Sequence, residues 1–237
     1  MQYYLSTTEL ERITDGLKVA MSIPFIDDIE DFILEAIWEY AKDIDGVDPF
    51  YNIRSKKLYD VVDQSTHIGW SVKSLQWAFR PNCEFEVVVQ RADVYKKARE
   101  LGFPPLNSDS DPNLIGAALL KHWNNKIESD AIAQGVQSKR IMVLLKTVDK
   151  KHFAVLEEDI HQYTTDEISW QWTNSQHNGL QVTRKSDGRC VYRWYPSQKQ
   201  FFERFILPES SQLIHIEPKR LSKEKIVNII LPHLQGH

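Results

Sequence analysis

The sequence predicts an α/β protein with a central mixed β-sheet flanked by α-helices. Amphipathic stretches of helical period alternate along the chain with runs of branched and aromatic residues, the order that places helices against a sheet. At 237 residues the chain is long enough for one large α/β domain or two small ones. No internal repeat or low-complexity tract divides it. One domain over 1–237 is the simpler expectation, with a site-bearing core over about 25–160 and recognition elements within about 160–210.

Each element has its own justification. A first helix is expected over "STTELERITDGLKVAMS", where Ser6 or Thr7 caps and Glu9 stands at capping-box spacing. A second runs through "DDIEDFILEAIWEYAK", after Pro24 and with acids in the first turn, where the helix dipole favours them. The turn-rich "DIDGVDPFYNIRSK" leads to two strands around a polar turn in "KLYDVVDQSTHIGWSVKSLQW". In "EFEVVVQRADVY" branched residues follow one another as in a strand buried on both faces, and Gly102 ends the short helix beyond it. After the loop "GFPPLNSDSDPN", Asp111 caps and Pro112 starts "PNLIGAALLKHWNNKIESDAIA". "RIMVLLKTVDKKHFAVLEEDI" predicts two strands around a charged turn. "GLQVTRKSDGRCVYRWY" predicts a hairpin with a type I′ turn at Asp187-Gly188. Helices are expected through "SQKQFFERF" and "SKEKIVNIILPHL".

Composition narrows the function classes. Hydrophobic residues make up 42% and charged residues 26%, which places the chain among globular rather than disordered sequences. No apolar run approaches the roughly 20 residues that span a bilayer. The first residues lack the basic region and apolar core of a signal peptide, so a cytoplasmic location is expected. Two cysteines, Cys83 and Cys190, support neither a disulfide framework nor a cysteine-rich zinc site. The eight histidines form no HExxH arrangement, and no glycine-rich phosphate loop occurs. The net charge of −4 gives no whole-chain basic field, although a local basic surface remains compatible with it.

The chemistry concentrates in the paired strands. Strand interiors disfavour both Asp60 and Lys73, because a charge facing a core must be paired or neutralised. The short turn at "QSTHIG" lets a hairpin register set them side by side. A carboxylate there holds a divalent cation through oxygen, which suits Mg²⁺. A neighbouring lysine orients or deprotonates a water and stabilises charge on a phosphate. Metal plus lysine is a minimal kit for phosphodiester hydrolysis. The plain alternative is a solvated cross-strand ion pair.

"YDVVDQSTHIGWSVKS" resembles the core of the PD-(D/E)xK nucleases, above all the form found in type II restriction endonucleases. In that family an aspartate opens one strand and an acid-x-lysine triplet sits on the next. The resemblance covers Leu58 to Leu75 and implies a restriction-endonuclease-like core. It assigns Asp60 to the motif aspartate, Ser71 to the first triplet position and Lys73 to the lysine. Val72 would offer its carbonyl to the metal, Mg²⁺ with Mn²⁺ as substitute. Two departures stand out: Tyr59 replaces the proline, and Ser71 replaces the second acid. Glu35, on the helix before the motif, is the first candidate for the missing carboxylate and metal ligand; Glu39, Glu84 and Glu86 are the others. The implied activity is cleavage of double-stranded DNA at a short sequence by a homodimer, with a cognate DNA methyltransferase as genetic partner. A DNA-repair or junction nuclease and a non-enzymatic binding protein are the alternatives. The candidate DNA contacts are Arg54, Lys56 and Lys57 before the first strand, Gln90 and Arg91 at a strand end, and Arg184, Lys185, Arg189 and Arg193 about the predicted hairpin.

Overall fold

The computed structural model describes residues 2–45, 57–78 and 83–234. The chain is mixed α/β as expected, but its strands form two sheets in two compact units, and neither unit is contiguous. The first comprises residues 1–79, 134–159 and 210–237; the second comprises 80–133 and 160–209.

In the first unit, α1 (Thr7–Ser22) starts at Ser6, whose Oγ accepts from the Glu9 N–H while Glu9 accepts from the Ser6 N–H. The second helix, α2 (Asp31–Lys42), begins later than the acidic run suggests. The residues before it are held otherwise: Lys146 Nζ donates to Asp28 Oδ1 at 2.8 Å and to the Ile29 carbonyl at 3.0 Å. The sheet has the order β1 (Gln2–Tyr3), β6 (His152–Asp159), β5 (Ser138–Lys146), β3 (Ile68–Gln76), β2 (Val61–Asp63), and β11 (Leu213–His215) shares the outer edge of β6 with β1. It is mixed because β3 and β5 run parallel while the other pairs are antiparallel. Such a parallel pair requires a long crossover, and here the crossover carries chain of the second unit. Both helices pack on one sheet face through Leu17, Leu34, Ile37 and Trp38 against Val61, Trp70, Val72 and Met142. Each such side chain contributes about 1.5–3 kcal/mol through burial. The strand buried on both faces is β5, where Ile141 to Lys146 are all buried. The C-terminal helix is α5 (Lys223–Leu234).

The second unit is an antiparallel sheet of order β4 (Glu84–Arg91), β10 (Gln200–Ile206), β9 (Cys190–Tyr195), β8 (Leu180–Arg184), β7 (Ile168–Trp172). With it go the short α3 (Val94–Lys97) and most of α4 (Pro112–Gln134), which Asp111 caps through the Asn113 N–H. Gly116 admits the Trp170 ring so closely that a Cβ there would lie 2.1 Å from it.

Three local expectations are corrected. Strand β4 alternates, with Phe85, Val87 and Val89 buried and Glu84 exposed, so it covers one core face only. The run "SQKQFFERF" forms strand β10 rather than a helix: Phe201, Glu203 and Phe205 point inward at period two, and pairing with both β4 and β9 outweighs the helix propensity of Gln, Lys, Glu and Arg. The β8–β9 turn is not type I′, which requires positive φ at both central residues. Only Gly188 has it (φ 71°), and the Gly188 N–H closes a wider turn on the Arg184 carbonyl. Among the described residues no helix is long and apolar enough to cross a membrane.

Candidate active site

The site forms just before β2 begins, where β3 runs on beyond its pairing with β2. Val61 pairs with Trp70, and Trp70 and Val72 face the helix-covered core, so Ser71 and Lys73 take the opposite face. The Asp60 N–H still donates to the Trp70 carbonyl at 2.8 Å. Beyond that bond, among the described residues, no strand covers this edge of β3. Side chains satisfy it instead. Asp60 Oδ2 accepts from the Val72 N–H at 2.8 Å and from Lys73 Nζ at 3.1 Å. Lys73 Nζ also donates to the Val72 carbonyl at 3.0 Å. The ammonium thus lies between the carboxylate and the carbonyl that the family resemblance assigns to a metal. Both charged side chains remain within reach of solvent, 23% exposed for Asp60 and 28% for Lys73.

Neighbouring residues fix Asp60 in place. The Gln134 amide grips the preceding peptide: its Nε2 donates to the Tyr59 carbonyl at 2.7 Å and its Oε1 accepts from the Tyr59 N–H at 3.4 Å. Tyr59 lies over Gly69, where a Cβ would come within 2.9 Å of the ring and 2.5 Å of Val136. The hairpin turn is stapled by Asp63, whose carboxyl is held below the usual range by hydrogen bonds from Ser65 and Thr66. On the core face, Trp70 Nε1 donates to Glu157 at 2.7 Å. Ser71 is 2% exposed, and its Oγ has no hydrogen-bond partner among the described residues. Such an orphan costs about 1–3 kcal/mol, which makes it notable beside a charged cluster.

Of the candidate acids, Glu35 and Glu39 are half-buried on α2, which packs against β2 and β3. Burial raises the Glu39 carboxyl above its ordinary pKa. Glu84 and Glu86 belong to the second unit, where Arg204 pairs with both and Arg193 with Glu86. Among the described residues no three His, Cys, Asp or Glu side chains form a metal-binding group. The donors present, one carboxylate and one strand carbonyl with an orphaned hydroxyl beside them, suit Mg²⁺, which is commonly held by one or two carboxylates with substrate phosphate and water completing its shell.

The candidate DNA contacts differ in setting. Arg54 and Lys56 lie outside the described residues, and Lys57 is exposed. Gln90 is buried, with its amide 3.0 Å from His122 Nε2, while Arg91 is exposed. Burial, with Lys97 and Lys126 nearby, depresses the His122 pKa to about 4, so this imidazole is neutral at pH 7. Arg184 clamps Asp187 across the turn at 3.0 Å, and Arg193 is paired with Glu86 at 2.9 Å on the sheet. Lys185 is exposed and Arg189 is half-buried beside it. Sequence reasoning overlooked Gln134 and Gly69. An isolated glycine between Ile68 and Trp70 was a readable sign of close backbone approach. Nothing marked Gln134, which lies 75 residues from Tyr59.

Comparison with family models, with curated proteins and with solved structures gave no match.

Proposed function

We propose that this chain is a Mg²⁺-dependent endonuclease with a restriction-endonuclease-like core, hydrolysing phosphodiester bonds of double-stranded DNA at a short sequence. The observation that carries this reading is the Asp60–Lys73 pair at 3.1 Å on an edge of β3 that no described strand covers, with the Val72 carbonyl and a Ser71 hydroxyl that has no partner among the described residues. Asp60 and the Val72 carbonyl would hold Mg²⁺, which supplies Lewis acidity toward a phosphate oxygen. Lys73 leaves its bond to Val72, orients the attacking water and balances charge growing on the phosphate. Gln134 keeps Asp60 aligned through the Tyr59 peptide. A two-fold dimer acting on a palindromic site and a partner methyltransferase belong to the same proposal.

The same atoms favour one other reading, a binding protein in which Asp60 and Lys73 only cap the polar edge of β3. A partly exposed ion pair of this kind contributes about 0–1 kcal/mol, so stability does not separate the two, and turnover does. Lys73→Ala and Asp60→Asn should retain the fold by circular dichroism. Each should lower Mg²⁺-dependent cleavage of a mixed-sequence plasmid by at least about 10²–10⁴-fold for the lysine, the usual loss for an acid–base group. Discrete fragments from the unaltered protein point to sequence-specific cleavage, and smears to a repair-type nuclease. No cleavage by the unaltered protein, or full cleavage by Lys73→Ala, leaves the capping role.

A further inference from the structure

On the other edge of the first sheet, β11 and β6 bring two histidines together. His215 pairs directly with His152, their ring centroids are 4.7 Å apart, and His215 Nδ1 lies 3.1 Å from His152 Nε2. On the far side of its ring, His215 Nε2 lies 3.3 Å from Glu217 Oε1. The second oxygen of Glu217 accepts from Lys151 Nζ at 2.8 Å, which anchors that carboxylate. The proton positions follow from these contacts. A carboxylate only accepts, so in the neutral His215 ring the proton sits on Nε2 toward Glu217, and Nδ1 turns its lone pair toward His152. A carboxylate behind an imidazole is the arrangement that orients histidines on metals. Two nitrogens bound tetrahedrally to zinc at about 2.0–2.1 Å stand roughly 3.3 Å apart, close to the separation found here.

We propose that His152 and His215 form a two-imidazole chelate for a divalent late first-row transition ion of the zinc and nickel class, with Glu217 as its orienting residue. Imidazole donors suit these ions and not Mg²⁺, so the site is chemically distinct from the oxygen donors about Asp60. On binding, the His152 proton moves through water from Nε2 to Nδ1, so both rings stay neutral and the cation sits between His152 Nε2 and His215 Nδ1. Both rings are partly exposed, and water completes the shell. The chelate joins β11 to β6. That strand and the residue after it bury Ile214 and Ile216 in the first unit's core, so an ion at this point fastens the 213–216 segment to the sheet. The inference stands independently of the nuclease reading.

The test uses full-length protein carrying Asp60→Asn, so that ions held at Asp60 do not contribute. Zn²⁺ is titrated by calorimetry, Co²⁺ by visible absorption, and melting is followed with and without Zn²⁺. One ion per chain is expected, with cobalt ligand-field bands and a higher melting temperature, since a ligand of the folded state alone stabilises it. His152→Phe and His215→Phe should each abolish the bands and the shift. His152→Gln and His215→Gln serve where a phenylalanine variant fails to fold. Glu217→Gln should weaken affinity by about 10–100-fold without abolishing it. Absence of binding, or binding that survives both histidine substitutions, overturns the chelate. Unchanged affinity in Glu217→Gln overturns the orienting role.

Discussion

Glu157 shows how one residue can govern the stretch that carries the candidate site. It is 2% exposed and accepts from Trp70 Nε1, from Arg140 at 2.8 Å and from Lys42 at 2.8 Å. Lys42 also reaches Glu9, and Arg140 lies on the Tyr3 ring at 3.7 Å. Such a network does not exceed a well-packed apolar core in net stability, but removing one partner leaves buried charges uncompensated. Glu157→Ala should therefore cost about 3–5 kcal/mol in a urea titration. Glu157→Gln should cost less, because the amide oxygen still accepts from Trp70. An alanine variant with an unchanged midpoint would mean that water replaces the carboxylate. Residue-level reading of the sequence found Asp60 and Lys73 because charges in apolar strands are conspicuous. It missed Glu157, whose partners lie 17, 87 and 115 residues away and leave no local mark.

At the scale of elements, the hairpin was legible because its signals are short-range: two apolar strands around a polar turn. Helix caps were legible for the same reason, as Ser6 with Glu9 and Asp111 with Pro112 show. Strand β10 was not, since its helix-forming residues are overruled by two neighbouring strands that follow from topology. The positioning of Asp60 is likewise an effect between elements, because Gln134 ends α4 and holds the peptide before β2. Gln134→Ala should leave circular dichroism unchanged and, on the proposed function, lower kcat with little change in KM, as expected when a group acts on the transition state through another. Gln134→Glu, which keeps an acceptor for the Tyr59 N–H but loses the donor to its carbonyl, should recover only part of the loss. Equal loss of kcat/KM through KM alone would assign Gln134 to binding.

At the scale of the molecule, the interleaving of the two units was beyond sequence reading. The chain leaves the first unit after residue 79, returns at 134, leaves again after 159 and returns at 210. Only a short proline- and serine-rich stretch, 208–211, stands at the last of these crossings, and the alternation of helices and strands without a repeat led to the expectation of a single domain. The interleaving has a consequence for excision. Replacing 160–209 alone by a flexible linker removes β7 to β10 but retains β4 and α4, so Phe85 loses the Phe205 ring stacked on it and Gly116 of α4 loses the Trp170 ring that covers it. Uncovered apolar area is unfavourable by about 25 cal/mol per Å² and promotes association. Replacing 80–133 as well, by a flexible linker of roughly fifteen residues, removes that apolar surface and still permits the β3–β5 crossover. Each doubling of linker length costs only about 0.6 kcal/mol in closure entropy. The single excision should bind a hydrophobic dye and aggregate, and the double excision should unfold cooperatively in urea as one smaller unit. A well-behaved, cooperatively folding single excision, or a double excision without a cooperative transition, would show that the two units do not stand as separate cores.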